Sequence, residues 1–250
     1  MSESIRAVER ALDVLLCFDS QTPALSMTQI SERVGINKST VHRLLATLEA
    51  RRFVDRDPLT GIYKPGLRLL QMAFLTLEHN DLRRLASPFL HNLCEQHREN
   101  VNLGVLDDAD VVYLEVVESP QRVKLAAAPG ERLPAFCTAS GKAILAFLPE
   151  ETVRRILGQG MPRCTQATLV TPEAFLENSR QVREQGFAMS EQEFEEGINA
   201  VAVPICNHPI ASVSIAGPAY RLTRKRMLEI GPLLIKVANE IAREIELAKI

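Results

Sequence analysis

The sequence predicts an α+β protein in two parts. A small N-terminal winged helix-turn-helix precedes a larger domain with a central antiparallel sheet covered by helices. Three observations predict this. Residues 25–45 hold a capped short helix, a glycine turn and a second, basic helix. Two short β-prone runs follow on either side of the turn Pro58-Leu59-Thr60. Beyond Asn80, strand-like runs alternate with helical ones.

Composition narrows the function classes. The chain has 250 residues and a formal net charge of -2, so it is no polycation and any nucleic-acid contact must come from a local basic surface. No apolar run approaches the roughly 20 residues of a membrane span, and the N-terminus carries no signal-peptide core. Cys17, Cys94, Cys137, Cys164 and Cys206 are scattered, with no C-x-x-C pair. This argues against a disulfide framework and a zinc site, and for a reducing cytoplasm. No cofactor or metal is expected.

Ile5, Val8, Leu12, Leu15 and Leu16 fall at helical spacing, predicting an amphipathic helix from Ser4 to about Phe18. Ser26 and Gln29 fit a capping box for a second helix opened by Met27. Small Ser31 allows close approach of the next helix, and Gly35 ends this one in a left-handed turn. Asn37 is a good N-cap for the third helix, whose inner face is Val41, Leu44, Leu45 and Leu48. Lys38, Ser39, Thr40, His42 and Arg43 are left outward near its N-terminal half. In a helix-turn-helix that half meets base edges, and Arg43 is placed to pair bidentately with guanine. Phe53–Asp57 and Gly61–Lys64 form the wing, with Arg56 and Lys64 as phosphate contacts. For His42 the alternative is packing beside the groove. The expected DNA-binding domain spans 1–65.

Residues 66–79 follow as a linker helix. Leu67, Leu69, Leu70, Met72, Ala73, Phe74, Leu75 and Leu77 make it apolar over most of its surface. Such a helix needs burial on several sides. Dimerisation is the favoured reading, a core helix of the next domain the alternative. A two-fold dimer predicts a near-palindromic site in double-stranded DNA.

Residues 80–250 form the second domain. Asp81–Arg98 reads as helix, with a break expected at Pro88. Strands are expected at Val101–Leu106, Val111–Glu118, Arg122–Ala127, Ala200–Cys206 and Ile210–Ala216. Helices are expected at about Ser140–Phe147, Glu150–Leu157 and Pro172–Gln185, the last capped by Thr171. The final helix begins near Thr223, with Met227, Ile230, Leu234, Val237, Ile241 and Ile245 inward and a kink at Gly231-Pro232.

Two stretches carry possible chemistry. In Ala135-Phe136-Cys137-Thr138-Ala139-Ser140-Gly141-Lys142-Ala143, a loop of small residues enters a helix. Free backbone N–H groups around Ala139, Ser140 and Gly141 would hold an anion. An ordinary helix start with a solvent-facing Lys142 remains the alternative. The Ser140–Lys142 spacing is not that of a Ser–Lys nucleophile, which leaves a hydrolase as a remote third option and no catalytic residue expected. In the second stretch, Ser212, Ser214 and Ala216 share one strand face and Val213 and Ile215 the other. Small polar residues there suggest a ligand cavity, or serines hydrogen-bonded within the core.

Together these segments resemble the isocitrate-lyase-regulator (IclR) family of bacterial transcription factors, over nearly the whole chain. The most specific matches are residues 38–48, 63–67, 138–143, 195–205 and 214–218. The resemblance implies a winged helix, a linker helix and a GAF-like effector-binding domain. It also implies a dimer, often paired into a tetramer, that represses or activates nearby operons in response to a small metabolite. Effector contacts implied by the family fall on Ala139 and Ser140, on Ser190 or Glu191, on Ala200, and on Ser214 and Ala216. Members that bind small oxo-acids carry Asp, Cys and Ser where this chain has Ser190, Ala200 and Ala216. The departure points to a larger or less polar organic acid, with Phe136, Phe187 and Phe194 as apolar wall. A constitutive architectural DNA binder is the rival reading.

Overall fold

The computed structural model describes residues 5–19, 22–78, 80–205 and 208–248. It divides into two units, Met1–His79 and Asn80–Ile250. Ser4 and Cys206, expected as a helix start and a strand end, lie outside the described residues.

The first unit is built on α1 (Arg6–Leu16), α2 (Met27–Val34) and α3 (Lys38–Ala50). Ser26 caps α2 in a reciprocal box with Gln29. Gly35 ends α2 at φ 64, a left-handed conformation that glycine adopts without strain. Ser31 Oγ donates to Ile36 O across the turn (2.5 Å), and Asn37 Oδ1 accepts from Thr40 N to start α3 (2.9 Å). β1 (Val54–Arg56) and β2 (Tyr63–Pro65) form the antiparallel wing. Leu25 bridges to Tyr63 through two backbone hydrogen bonds. Val14, Leu25, Ile30, Val41, Leu45, Val54 and Tyr63 form the buried core. α1 differs from expectation. Its apolar positions Ile5, Val8, Leu12 and Leu16 are exposed, and Val14 is its one buried residue. α4 (Leu67–Glu78) is a helix whose Leu67, Leu70, Met72, Phe74 and Leu75 are exposed in the single chain. A Cβ on Gly66 would meet Arg52 O at 2.3 Å, so only glycine lets α4 start against the end of α3.

The second unit carries a six-stranded antiparallel sheet in the order β5-β4-β3-β8-β7-β6. The strands are β3 (Asn100–Asp107), β4 (Asp110–Val117), β5 (Arg132–Pro134), β6 (Ala188–Glu191), β7 (Ile198–Ile205) and β8 (His208–Pro218). α5 (Asp81–His97) and α9 (Arg224–Ala248) cover one face, packing against Val101, Leu103, Val201, Val203, Val213 and Ile215. The other face receives α6 (Ala139–Leu145), which packs through Ala139, Ala143 and Ala146 on Ala188 and Ala202. α7 (Glu150–Leu157) and α8 (Pro172–Gln185) complete that side. Thr171 caps α8 with Pro172 in its first turn, as its sequence predicts.

Several expectations are corrected. α5 runs through Pro88 without a break. Proline removes one hydrogen bond, but Ala86, Leu90, Leu93 and Cys94 bury the helix on both sides of it. α9 contains Gly231-Pro232 within its span, and Gly231 is pressed against the Phe187 ring, where an added Cβ would lie 2.6 Å away. No strand forms over Arg122–Ala127. Side chains hold that segment instead: Asn100 Nδ2 donates to Leu125 O (3.2 Å) and Arg221 Nη2 to Val123 O (2.8 Å). β5 takes the edge position, and β6 forms over Ala188–Glu191, where no strand was expected.

Candidate functional site

The first candidate surface lies on α3. Its packing places Val41 and Leu45 inward, which turns Lys38, Ser39, His42 and Arg43 to solvent, with Thr40 half-buried. Ser39 Oγ donates to Asn37 Oδ1 (2.8 Å), leaving its lone pairs outward. Arg6 and Arg10 of α1 join Thr40, His42, Arg43 and Thr47 around an open groove of about 650 Å3. The two α1 arginines were not singled out in the sequence, because their helix reads as an ordinary amphipathic element. On the wing, Lys64 is exposed on β2, and the Arg56 guanidinium lies 5.6 Å from the Tyr63 ring centroid. This stacking orients Arg56 at the wing surface while keeping its charge solvated.

The second candidate is a cavity between α6 and the sheet. Strand register aligns two rows of small or polar residues under the helix: Asn100-Ala216-Ala200-Ser190 and Asn102-Ser214-Ala202-Ala188. Large β-branched residues there would fill the space that α6 leaves. The cavity holds about 50 Å3 and is lined by residues that include Ala139, Ser140, Ser190, Ala200, Ser214 and Ala216. These are six of the nine positions read from the sequence as effector contacts. The other three lie elsewhere. Gly141 N accepts no ligand role here, because it donates to Thr138 Oγ1 (3.2 Å). Gly141 is instead required by packing, since a Cβ would meet Ala135 O at 2.2 Å. Glu191 pairs with Arg224. Ser212 is fully buried and does not line the cavity. Of the three phenylalanines, Phe194 lines the cavity, whereas Phe136 and Phe187 pack into the cores on either side of the sheet.

The polar groups of the cavity are oriented by neighbours. Asn102 Nδ2 donates to Ser214 Oγ (3.3 Å), so the Ser214 hydrogen is free to turn toward the cavity. Ser190 Oγ donates to Cys137 O (3.0 Å), leaving acceptor lone pairs. Ser140 is 1% exposed, and its hydroxyl faces the Tyr113 phenol without meeting full hydrogen-bond geometry to any described residue. The phenol of Tyr113 lies beside it; burial pushes that phenol up to about 12, against the lowering effect of Ser140, so it stays protonated and able to donate. Ala139 and Ser140 open α6, and their N–H groups have no acceptor within the helix. Tyr113, Leu125, Leu133 and Ile198 also line the cavity, and none was singled out as a contact from the sequence. They come from distant segments, and only the fold brings them together.

Lys142 is not solvent-facing. It is 1% exposed, pairs with Glu193 and donates to Met189 O (2.7 Å). Burial pushes the Glu193 carboxyl above its ordinary range, with Lys142 opposing the shift. The pair ties α6 to the segment after β6 directly beside the cavity. Nothing in residues 138–143 alone announces a partner 51 positions away.

A winged helix-turn-helix joined to an α+β domain with a built cavity defines a DNA-binding transcriptional regulator. Residues 7–58 match the IclR helix-turn-helix domain, and residues 74–243 match the bacterial transcriptional regulator IclR C-terminal domain. The chain belongs to the IclR family. It is 36% identical over 216 residues to the HTH-type transcriptional regulator XynR of Escherichia coli K12, covering 85% of this chain and 86% of that one. It is 31% identical to the transcriptional repressor IclR of the same organism, over 95% of this chain and 89% of that one. The fold superposes on an IclR regulator from Alicyclobacillus acidocaldarius with TM-score 0.86 and 28% identity, covering 97% and 99% of the two chains. An IclR homologue from Microbacterium hydrocarbonoxydans, solved with 4-hydroxybenzoate, superposes with TM-score 0.80 and 25% identity, covering 96% and 99%. Among the described residues, no helix is long and apolar enough to cross a membrane.

Proposed function

We propose that this regulator is a cytoplasmic repressor whose operator affinity is set by a small organic acid bound in the α6 cavity. One observation carries the reading. Ser140 presents a buried hydroxyl with only the Tyr113 phenol beside it, at a helix start whose first N–H groups have no acceptor within the helix, and Ser214 keeps a hydrogen to donate. A buried polar group left unpaired costs free energy. A carboxylate accepts from all of these donors and removes that cost. The 4-hydroxybenzoate held by one family member supports an acid of this kind.

The size of the cavity refines the sequence expectation. An apolar cavity of about 150 Å3 is what holds a benzene ring; this one has about 50 Å3. An effector of aromatic-acid size therefore requires the outer wall, at Leu125 and Phe194, to move on binding. That movement is the differential interaction through which a ligand shifts a conformational equilibrium. Ser140 and Lys142 are assigned no catalytic role, because the Lys142 ammonium is committed to Glu193 and the Met189 carbonyl.

On the DNA side, Lys38, Ser39, Thr40, His42, Arg43, Arg56 and Lys64 form the contact set, with Arg43 reading a base and the wing contacting phosphates. The exposed apolar surface of α4 is the interface of a two-fold dimer, alone or paired into a tetramer, that binds a near-palindromic operator. The test is a binding titration on the DNA upstream of the protein's own gene. Arg43→Ala is expected to lower specific affinity by about 1–3 kcal/mol while leaving non-specific binding in place. Unchanged discrimination would remove α3 as the recognition helix.

A further inference from the structure

Cys137 and Cys164 lie 27 positions apart in the chain, yet their Sγ atoms approach to 3.9 Å. Both are free thiols; Cys137 is buried and Cys164 is exposed. Each sits in a segment that shapes the cavity. Cys137 O accepts from Ser190 Oγ (3.0 Å), and the next residue, Thr138, caps α6. Cys164 N donates to Thr168 Oγ1 (3.1 Å). Thr165 Oγ1 in turn donates to Gln192 O (2.6 Å), and Thr168 Oγ1 to Glu193 O (2.7 Å). The two sulfurs thus join the loop that enters α6 to the segment that braces Glu193. A covalent bond between them would tie the loop before the cavity-lining Thr138, Ala139 and Ser140 to the loop that braces the segment before the cavity-lining Phe194.

We propose that Cys164 and Cys137 are a modification site: a hydroperoxide oxidises the pair to an intramolecular disulfide that clamps the cavity wall. The exposed thiol of Cys164 gives up its proton and attacks the terminal peroxide oxygen, the O–O bond breaks, and the released alkoxide or hydroxide takes up a proton and leaves as alcohol or water, giving a sulfenic acid on Cys164. The Cys137 sulfur then attacks the Cys164 sulfur, the S–O bond breaks, and the departing hydroxide takes the Cys137 proton and leaves as water. Two thiols lose two electrons and two protons, and one hydroperoxide gains both. The order follows from access. Burial pushes the Cys137 thiol well above its ordinary value, so it is protonated and shielded, whereas Cys164 meets solvent. Closure to a disulfide bond of about 2.05 Å requires the sulfurs to move together by roughly 2 Å. Reduction by a dithiol restores the starting state.

The test uses the full chain treated with hydrogen peroxide, quenched, alkylated and digested with trypsin. Cleavage after Arg132, Lys142, Arg163 and Arg180 isolates each thiol on its own peptide, residues 133–142 and 164–180. The expected result is one cross-linked product of these two peptides, reversed by dithiothreitol, with two of the five thiols lost. C164S is expected to keep Cys137 reduced at the same dose. C137S is expected to stop at the sulfenic acid on Cys164, trapped by dimedone. In the oxidised wild type, amide exchange over residues 164–168 and 190–193 slows. A sulfenic acid on wild-type Cys164 that never links to Cys137, or a Cys164–Cys164 bond between chains, overturns the proposal. A cross-link that leaves exchange unchanged overturns the clamp.

Discussion

The two faces of the six-stranded sheet are built from opposite choices. Toward α5 and α9, β3, β7 and β8 present Val101, Leu103, Val201, Val203, Val213 and Ile215, all of them buried. Toward α6, the same strands present Asn102, Ala200, Ala202, Ser214 and Ala216. Alanines bring α6 close at its middle, and at its N-terminal end a cavity opens beside the buried Ser140 hydroxyl. The alternation of strand side chains makes both faces from one sequence run. The first face is built for packing, whereas the second gives packing up and leaves the cavity in which the proposed effector would sit.

The comparison can be broken by substitution. The largest effect is expected from Glu193→Ala on the cavity side. It leaves the Lys142 ammonium buried without its partner, at a cost of about 3–5 kcal/mol. Urea denaturation measures this, and a loss below about 1 kcal/mol would mean that water reaches the pair. Ile215→Ala on the packed face is expected to cost about 2–5 kcal/mol through lost transfer energy and a new void. Gly141→Ala forces a Cβ onto the Ala135 backbone and is expected to cost about 1–3 kcal/mol or displace α6, read as a fall in Tm and a changed ligand response. Ser214→Ala, one residue from Ile215, is expected to cost only about 1 kcal/mol, because one hydrogen bond from Asn102 is lost. An equal penalty for Ile215→Ala and Ser214→Ala would erase the contrast between the faces.

The smallest effect is a pH dependence. Burial raises the folded-state pKa of Glu193 above its unfolded value. The native state therefore holds the carboxyl proton more tightly, and the stability linked to it is fully present below the unfolded pKa. It is lost as pH rises through the folded pKa. Relative to Glu193→Gln, wild type should gain stability as pH falls from neutral toward the ordinary carboxylate range. Parallel stability curves for the two proteins would contradict the shift.

How much of this was legible in the sequence depends on how local each feature is. The capping box at Ser26, the turn at Gly35 and the cap at Asn37 are set by residues within a few positions of each other, and the structure contains all three. The serine face of β8 was equally legible, because strand alternation is local. β6 was missed because four residues carry too little pattern to stand out. Arg122–Ala127 resembles a strand in composition, yet contacts from Asn100 and Arg221 decide its path. Lys142 reads as a surface lysine until Glu193 is placed beside it. Tyr113 and Leu125 join the cavity only through the sheet order.

In the proposed mechanism the small-residue face holds the effector that controls DNA binding. The most direct measurement is the thermal shift of wild type and Ser214→Leu against a panel of oxo-acids, sugar acids and aromatic acids, with operator affinity followed in parallel. The account predicts that an acid raises the wild-type Tm and changes its operator affinity, while Ser214→Leu binds the operator normally and responds to none of the panel. An equal response in both proteins would place the effector outside the α6 cavity and contradict the account.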